Sequence, residues 1–224
     1  MPNLTNDLSQ AEFISALPEN EQQELFKQAL SRKLEVGEFL CHQGDIWPKV
    51  IFLGSGQLRW SILSITGREF VLFLVDAGRV FWGHSIFDDQ PMPASLMATK
   101  QSWVYLWPRE IILPILYRNP KAMWEITKTL TSTMRRAREI IYGLAFQPVA
   151  CRLAKYLLGR FELEDDPNIE RDITLGELAS RLATSQEVVC RVLYQFQSEG
   201  ILEVNRASIS IQDLTALNRL VENG

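Results

Sequence analysis

Three cysteines in 224 residues, Cys41, Cys151 and Cys190, are too few and too scattered for a disulfide framework. No CxxC pair occurs and the first 40 residues hold no cysteine, which argues against a cysteine-rich zinc site or an iron–sulfur cluster. With two histidines and no HExxH, GxSxG or P-loop pattern, the common hydrolytic sites have nothing to stand on. The paired acids Asp88-Asp89 and Asp165-Asp166 sit in turn-like stretches and read as solvated, so no enzyme is expected. No apolar run approaches the roughly 18 residues of a membrane span. The first ten residues lack a basic and then apolar leader pattern, so the expected setting is the cytoplasm with no membrane partner. Positive charge is also short. Against 27 Asp and Glu stand 23 Lys and Arg, a net charge of −4. That balance by itself points away from nucleic acid, because binding draws on Lys and Arg to neutralise phosphates. A local patch can still be basic on an acidic chain.

The remainder is globular in composition, 46% hydrophobic and 22% charged, and long enough for two domains. Residues 31–107 read as short strands. Gly37, Gly44, Gly56, Gly67, Gly78 and Gly83 punctuate them at the spacing of turns in an antiparallel sandwich or barrel. Strands are expected at Val50–Leu53, Leu58–Ile62, Phe70–Val75 and Ser102–Trp107, with Leu58, Trp60 and Ile62 on one face. A short amphipathic helix is expected before them, over Asn20–Leu30.

From Pro108 the period becomes helical. A short helix runs to about Tyr117, and Asn119-Pro120 supplies a cap followed by proline at the first helical position of a second. Along it Met123, Ile126, Leu130, Thr133, Ala137, Ile140 and Leu144 alternate spacings of three and four, a heptad seam on a helix of about 24 residues. One reading is a core helix packed on the barrel. The other is a partner helix, favoured because the stripe is narrow and Arg135, Arg136 and Arg138 keep the other faces wet; it implies a homodimer. Gln147-Pro148 opens a further helix to about Phe161, followed by an acidic turn at Glu164–Asn168.

At Thr174 a capping box with Glu177 starts a helix buried through Leu178, Ala179 and Leu182. After the turn Ala183-Thr184-Ser185, a second helix runs to about Glu199. It buries Val188, Val192, Leu193 and Phe196 and presents Gln186, Glu187, Cys190 and Arg191. This spacing is that of a helix-turn-helix, whose second helix enters the major groove N-terminus first. Ile201–Val204 and Ser208–Ile211 then read as two strands of a wing about Asn205-Arg206-Ala207. The alternative is a plain pair of core helices followed by a hairpin.

The chain resembles the Crp/Fnr family over about residues 34–214. The resemblance lies in Val36-Gly37-Glu38, Gly44-Asp45, Ser55-Gly56, Gly67-Arg68-Glu69, Phe81-Trp82-Gly83, Asn119-Pro120, Leu144-Ala145-Phe146, Arg152-Leu153-Ala154 and the run Thr184–Leu193. It implies an α+β chain with an N-terminal β-roll like a cyclic-nucleotide-binding jelly roll (1–118), a long dimerisation helix (119–145) and a C-terminal winged helix-turn-helix (146–224). A homodimer that binds a palindromic operator and works with RNA polymerase follows from the same resemblance. Glu187 matches the family's recognition glutamate, which accepts from cytosine N4, and Arg191 the arginine that donates to guanine. Thr174, Thr184, Ser185, Gln186, Cys190 and Arg206 complete the expected DNA face. Gln186 stands where the family often has arginine, Cys190 where it has serine or glycine, and Ala183 where it has the turn glycine.

The family's cyclic-nucleotide cassette needs a glutamate for the ribose and an arginine for the phosphate. Here His84 occupies the first position and Ala94-Ser95 the second, while Ala137-Arg138 replace the adenine-contacting hydroxyls. Cyclic AMP is therefore not expected. A different small effector is, in a pocket lined by Trp82, Gly83, His84, Ser85, Ile86, Ala94, Ser95, Met134 and Arg138. The aromatics Phe73, Phe81, Trp82 and Phe87 favour an apolar or aromatic ligand, with Arg138 available to a carboxylate. No cofactor is expected. The alternative is a haem sensor, because Phe81–Ser85 resembles the segment of the family's carbon monoxide sensor that supplies an axial histidine. His84 would then be the ligand, with Pro2 near the start of the chain as the other. Trp82 stands where that sensor has its ligating cysteine.

Overall fold

The computed structural model describes residues 11–164 and 166–224. They fall into two compact units, Met1–Gly67 with Val71–Arg136, and Arg68–Phe70 with Ala137–Gly224. The division falls inside the long helix.

The first unit opens with two short helices, α1 (Glu12–Ser15) and α2 (Glu19–Lys27). Eight strands follow: β1 (Leu30–Leu34), β2 (Phe39–Cys41), β3 (Lys49–Ser55), β4 (Gln57–Leu63), β5 (Glu69–Asp76), β6 (Val80–Trp82), β7 (Ser95–Ala98) and β8 (Ser102–Pro108). A single-turn helix α3 (Ser85–Asp88) precedes β7, and α4 (Arg109–Arg118) follows β8. The strands form two four-stranded sheets, β1-β8-β3-β6 and β2-β7-β4-β5, whose pairings are antiparallel.

Strand alternation explains why β3, β6 and β8 of the first sheet are apolar on both faces. Ile51, Leu53, Phe81, Val104 and Leu106 face inward onto Leu58, Trp60, Val75, Leu96 and Ala98 of the second sheet. Their neighbours Val50, Phe52, Trp82, Tyr105 and Trp107 face outward and are covered by Phe13, Ile14, Leu17, Leu25, Ile112 and Ile115 of the flanking helices. A sheet buried on both faces reads as a continuous apolar run. The buried indole of Trp107 donates Nε1–H to Leu25 O at 2.8 Å. At Gly56 φ is +90° and a Cβ would lie 2.5 Å from Gln101 O, so only glycine fits that turn.

The helix expected over Asn20–Leu30 ends at Lys27, and Leu30 begins β1 with its side chain exposed. The strands β1, β2, β6 and β7 had no strong pattern of their own. Each is three to five residues long.

Helix α5 runs from Pro120 to Phe146. Its first turns carry Ala122 and Ile126 into the outward-facing core of the first unit. In the second unit, α6 (Val149–Glu164), β9 (Asn168–Glu170), α7 (Leu175–Arg181), α8 (Gln186–Ser198), β10 (Leu202–Val204), β11 (Ser208–Ile211) and α9 (Leu214–Glu222) enclose a separate core. The wing sheet has three strands rather than the expected two, in the order β10-β11-β9. Strand β9 carries a single buried side chain, Ile169, so alternation could not reveal it.

Candidate nucleic-acid interface

Thr174 caps α7 through the expected box: its hydroxyl accepts from Glu177 N at 3.1 Å, and its own N–H reaches Glu177 Oε2 at 2.9 Å. Leu178, Ala179 and Leu182 are all buried against α6 and α8. The chain then turns through Ala183 at φ +50°, a left-handed conformation that a Cβ disfavours by about 1–2 kcal/mol. The family's usual glycine would carry no such cost. Thr184 N–H closes the turn on Ala179 O at 3.0 Å.

Ser185 caps α8, its hydroxyl accepting from Val188 N. The buried side of α8 is Val189, Val192, Leu193 and Phe196, spaced i, i+3, i+4, i+7. Val188, which the spacing places in that set, is only half-buried, because Val189 stands one position closer to the stripe centre. On the opposite side Gln186, Glu187 and Arg191 are exposed and Cys190 is half-buried. Glu187 and Arg191 are one turn apart on the same face. A Cβ built on Gly176 would lie 3.0 Å from Gln186 Nε2, so this glutamine leans back on the start of α7.

The wing tip is held by its own side chains. Asn205 Oδ1 accepts from Ala207 N at 2.9 Å and Ser208 N at 2.8 Å, while Arg171 Nη1 donates to Asn205 O at 2.7 Å. Arg206 is left exposed at the tip. Arg181 lies over the Tyr156 ring, 5.8 Å from its centroid. Thr174 is the one expected DNA contact whose hydroxyl and N–H are both already engaged.

Comparison with known proteins agrees with this geometry. Residues 151–220 match the Crp-like helix-turn-helix domain, and residues 31–119 the cyclic nucleotide-binding domain. The cyclic AMP receptor protein of Thermus thermophilus is 26% identical over 184 residues, 82% of this chain and 84% of that protein. A Crp/Fnr family transcriptional regulator from Eubacterium rectale shares the fold with a TM-score of 0.77 at 22% identity, covering 93% of this chain and 96% of that one. The c-di-GMP-responsive global regulator of Xanthomonas campestris has the same TM-score at 16% identity, over 88% of this chain and 100% of its own. This chain belongs to the Crp/Fnr family. It is a DNA-binding transcription regulator and not an enzyme.

In this Crp/Fnr regulator the residues expected around one effector pocket are distributed between the two cores and the surface of the first unit, with Arg138 on the part of α5 that belongs to the second. On β6, Phe81 turns inward and Trp82 outward, so Trp82 and Ile86 belong to the outer core, where Trp82 meets Phe13 edge-on at 5.1 Å. Ala94 lies in the inner core. Gly83 is glycine for packing, since a Cβ would fall 2.6 Å from Lys49 O. Ser85 Oγ accepts from Trp47 N and donates to Gln90 O at 2.6 Å, and Ser95 Oγ accepts from Gln43 N at 2.9 Å. Met134 and Arg138 are exposed on α5.

On the β-roll, His84 is the exposed polar side chain of this set. Its ring stacks on Trp60 with centroids 5.7 Å apart and planes 10° apart. Loss of water on that side lowers its pKa, Asp88 pulling the other way. Sequence reasoning missed Trp60 as a site residue, because its alternation marked it as core. It also missed Arg136, whose guanidinium lies 5.2 Å from the Phe73 ring centre.

A cyclic nucleotide, which the family implies, does not fit these residues. Between Gly83 and Ala98 there is no Lys or Arg to pair a phosphate, the two charged side chains are Asp88 and Asp89, and both serine hydroxyls are engaged. Among the described residues no group of three metal-ligating side chains occurs. Pro2, the second ligand of the haem alternative, lies outside the described residues.

The residues of the expected dimer seam differ in how open α5 leaves them. Ile126 is buried in the chain's own core, and Met123 packs half-buried against it. Thr133 spends its hydroxyl on Thr129 O at 3.0 Å, and Ile140 is half-buried. The large apolar side chains that α5 leaves exposed include Leu130, Met134, Ile141 and Leu144. With Ala137 they keep the heptad spacing, shifted by one position at two of its steps.

Proposed function

We propose that this chain is a homodimeric transcription regulator that reads a palindromic operator and responds through its β-roll to a small effector other than cyclic AMP. The observation that carries the DNA reading is the exposed pair Glu187 and Arg191, one turn apart at the leading end of a helix whose other side is fully packed. A carboxylate and a guanidinium so placed suit cytosine N4 and guanine O6/N7 of one G·C pair. Ser185, Gln186 and Cys190 flank them, with Arg206 on the wing for the backbone; Thr184 and Thr174 then act by shaping the turn and the cap. The exposed stripe Leu130, Met134, Ala137, Ile141 and Leu144 supports pairing of two α5 helices, which would set two recognition helices about one DNA turn apart, roughly 34 Å. Contact with RNA polymerase, in the cytoplasm where the DNA is, completes the reading.

The effector reading rests on what the β-roll lacks in cationic groups and has in aromatic ones. His84 on Trp60 is the open polar element, and an aromatic or apolar ligand is the class it favours. The Thermus relative is named for cyclic AMP; here His84 and Ala94-Ser95 stand where the resemblance calls for the nucleotide's glutamate and arginine. Fluorescence anisotropy with operators selected from a random library tests the whole reading. Arg191→Ala is expected to lose sequence-specific binding, by at least about tenfold for one good bidentate contact, while remaining dimeric. Cyclic AMP is expected to leave wild-type affinity unchanged. Specific binding retained by Arg191→Ala overturns the DNA reading; a response to cyclic AMP overturns the effector reading.

A further inference from the structure

Arg152, on the first turn of α6, gathers backbone carbonyls from two separate helix ends. Its Nη1 donates to Gly143 O at 3.2 Å and to Gln147 O at 2.8 Å, and its Nε donates to Leu182 O at 3.1 Å. Gly143 lies in the last turn of α5, and Gln147 N–H itself donates to Gly143 O at 3.1 Å. Leu182 closes α7, immediately before the left-handed Ala183. Both are helix C-termini, where unpaired carbonyls concentrate negative charge. A planar guanidinium donates in several fixed directions at once, which an ammonium does not. The α5–α6 junction is tied further by Lys155, whose Nζ donates to Gln147 Oε1 at 3.0 Å, and Gln147 is buried.

We propose that Arg152 is a positioning residue for DNA binding: it fixes the last turn of α5 to the helix-turn-helix, so that the helix carrying the dimer seam dictates where each recognition helix points. This rests on the dimeric reading above. Arg152 touches no DNA in this proposal. Gly143, Gln147, Arg152 and Leu182 belong to one compact unit, so the latch is complete within each protomer. Cutting it frees the winged helix from α5 while leaving Glu187 and Arg191 in place on α8.

The test compares full-length wild type, Arg152→Ala and Arg152→Lys on three DNAs: the selected palindrome, the same palindrome with one base pair inserted at its centre, and a single half-site. Insertion moves one half-site by about 3.4 Å along the duplex and turns it by about 36°. Wild type is expected to discriminate against the insertion by about tenfold or more. Both variants are expected to lose most of that discrimination, to about twofold, while binding the single half-site as wild type does; coupling of this size is ordinary between linked sites. Lysine keeps the charge but not the fork, so it guards against mistaking loss of charge for loss of the latch. Unchanged spacing preference in both variants overturns the proposal. So does an equal loss of affinity on all three DNAs, which marks a merely structural residue. A wild type that binds no palindrome overturns the dimeric reading and this proposal with it.

Discussion

Cys41 sits in the inner core of the β-roll beside Leu40, Trp47 and Leu96. Burial pushes its thiol up to about 12; Asp45 adds to the rise and a hydrogen bond with the Leu96 backbone opposes it. The thiolate is the reactive form, so Cys41 is inert at neutral pH; Cys151 is buried too, and Cys190 is the most accessible of the three. The same burial makes a stability prediction. The unfolded thiol titrates near 8.5, so above that pH the unfolded chain sheds a proton that the folded chain keeps. Stability is fully present below about pH 8.5 and falls as pH rises toward 12, by up to roughly 1.4 kcal/mol per pH unit from this group. Urea midpoints at pH 8 and pH 10.5 are expected to fall further for wild type than for Cys41→Ala. Equal falls would show that the thiol contributes nothing to the alkaline limb.

At the scale of elements, the proposed pairing of two chains turns on α5. Over residues 127–139 every position is exposed, and hydroxyls of Thr127, Thr129, Thr131 and Thr133 fold back onto carbonyls one turn earlier. A 27-residue helix with that much open surface and an apolar stripe has an unfinished face. Met134 is 73% exposed and Ile141 65%. Replacing both with glutamate is expected to yield a folded monomer at micromolar concentration, read by light scattering after gel filtration; a persisting dimer would place the interface elsewhere. The heptad was legible in the sequence, but its phase was not. Ile140 and Ile141 are adjacent, and only the packing of the helix tells that Ile141 is the more exposed; Thr133 and Met134 are both exposed, and it is the larger apolar area of Met134 that favours it for the seam. The same limit runs through the rest. Helix caps, glycine turns and the recognition helix were legible because a few residues carry strong local rules. Strands β1, β2, β7 and β9 were not, since each is short and held by its neighbours. The facing of β6 was illegible for a related reason: a three-residue strand followed by glycine carries too little alternation to say that Phe81 turns in and Trp82 out.

Taken whole, the molecule is acidic even where it meets DNA: residues 146–224 carry 8 basic and 12 acidic side chains. Several of the basic ones are spent internally. Arg152 and Lys155 hold the α5–α6 junction, Arg160 pairs with Asp172 at 2.8 Å, and Arg171 braces the wing. Arg191, Arg206 and Arg219 stand exposed, with Arg181 half-buried on Tyr156, and Arg191 is spent on a base in the proposed complex. Two or three phosphate contacts per protomer is then the ceiling, so affinity for random DNA is weak and specificity rests on base contacts and geometry. For a dimer the slope of log affinity against log salt is expected at about −4 to −5, from about 0.9 per neutralised phosphate. A slope steeper than about −8 would show basic groups reaching DNA from outside this face. Arg206→Ala separates the two kinds of contact. It is expected to flatten the slope by about 2, one phosphate in each protomer, and to weaken all sequences alike, whereas Arg191→Ala removes the preference for the operator itself.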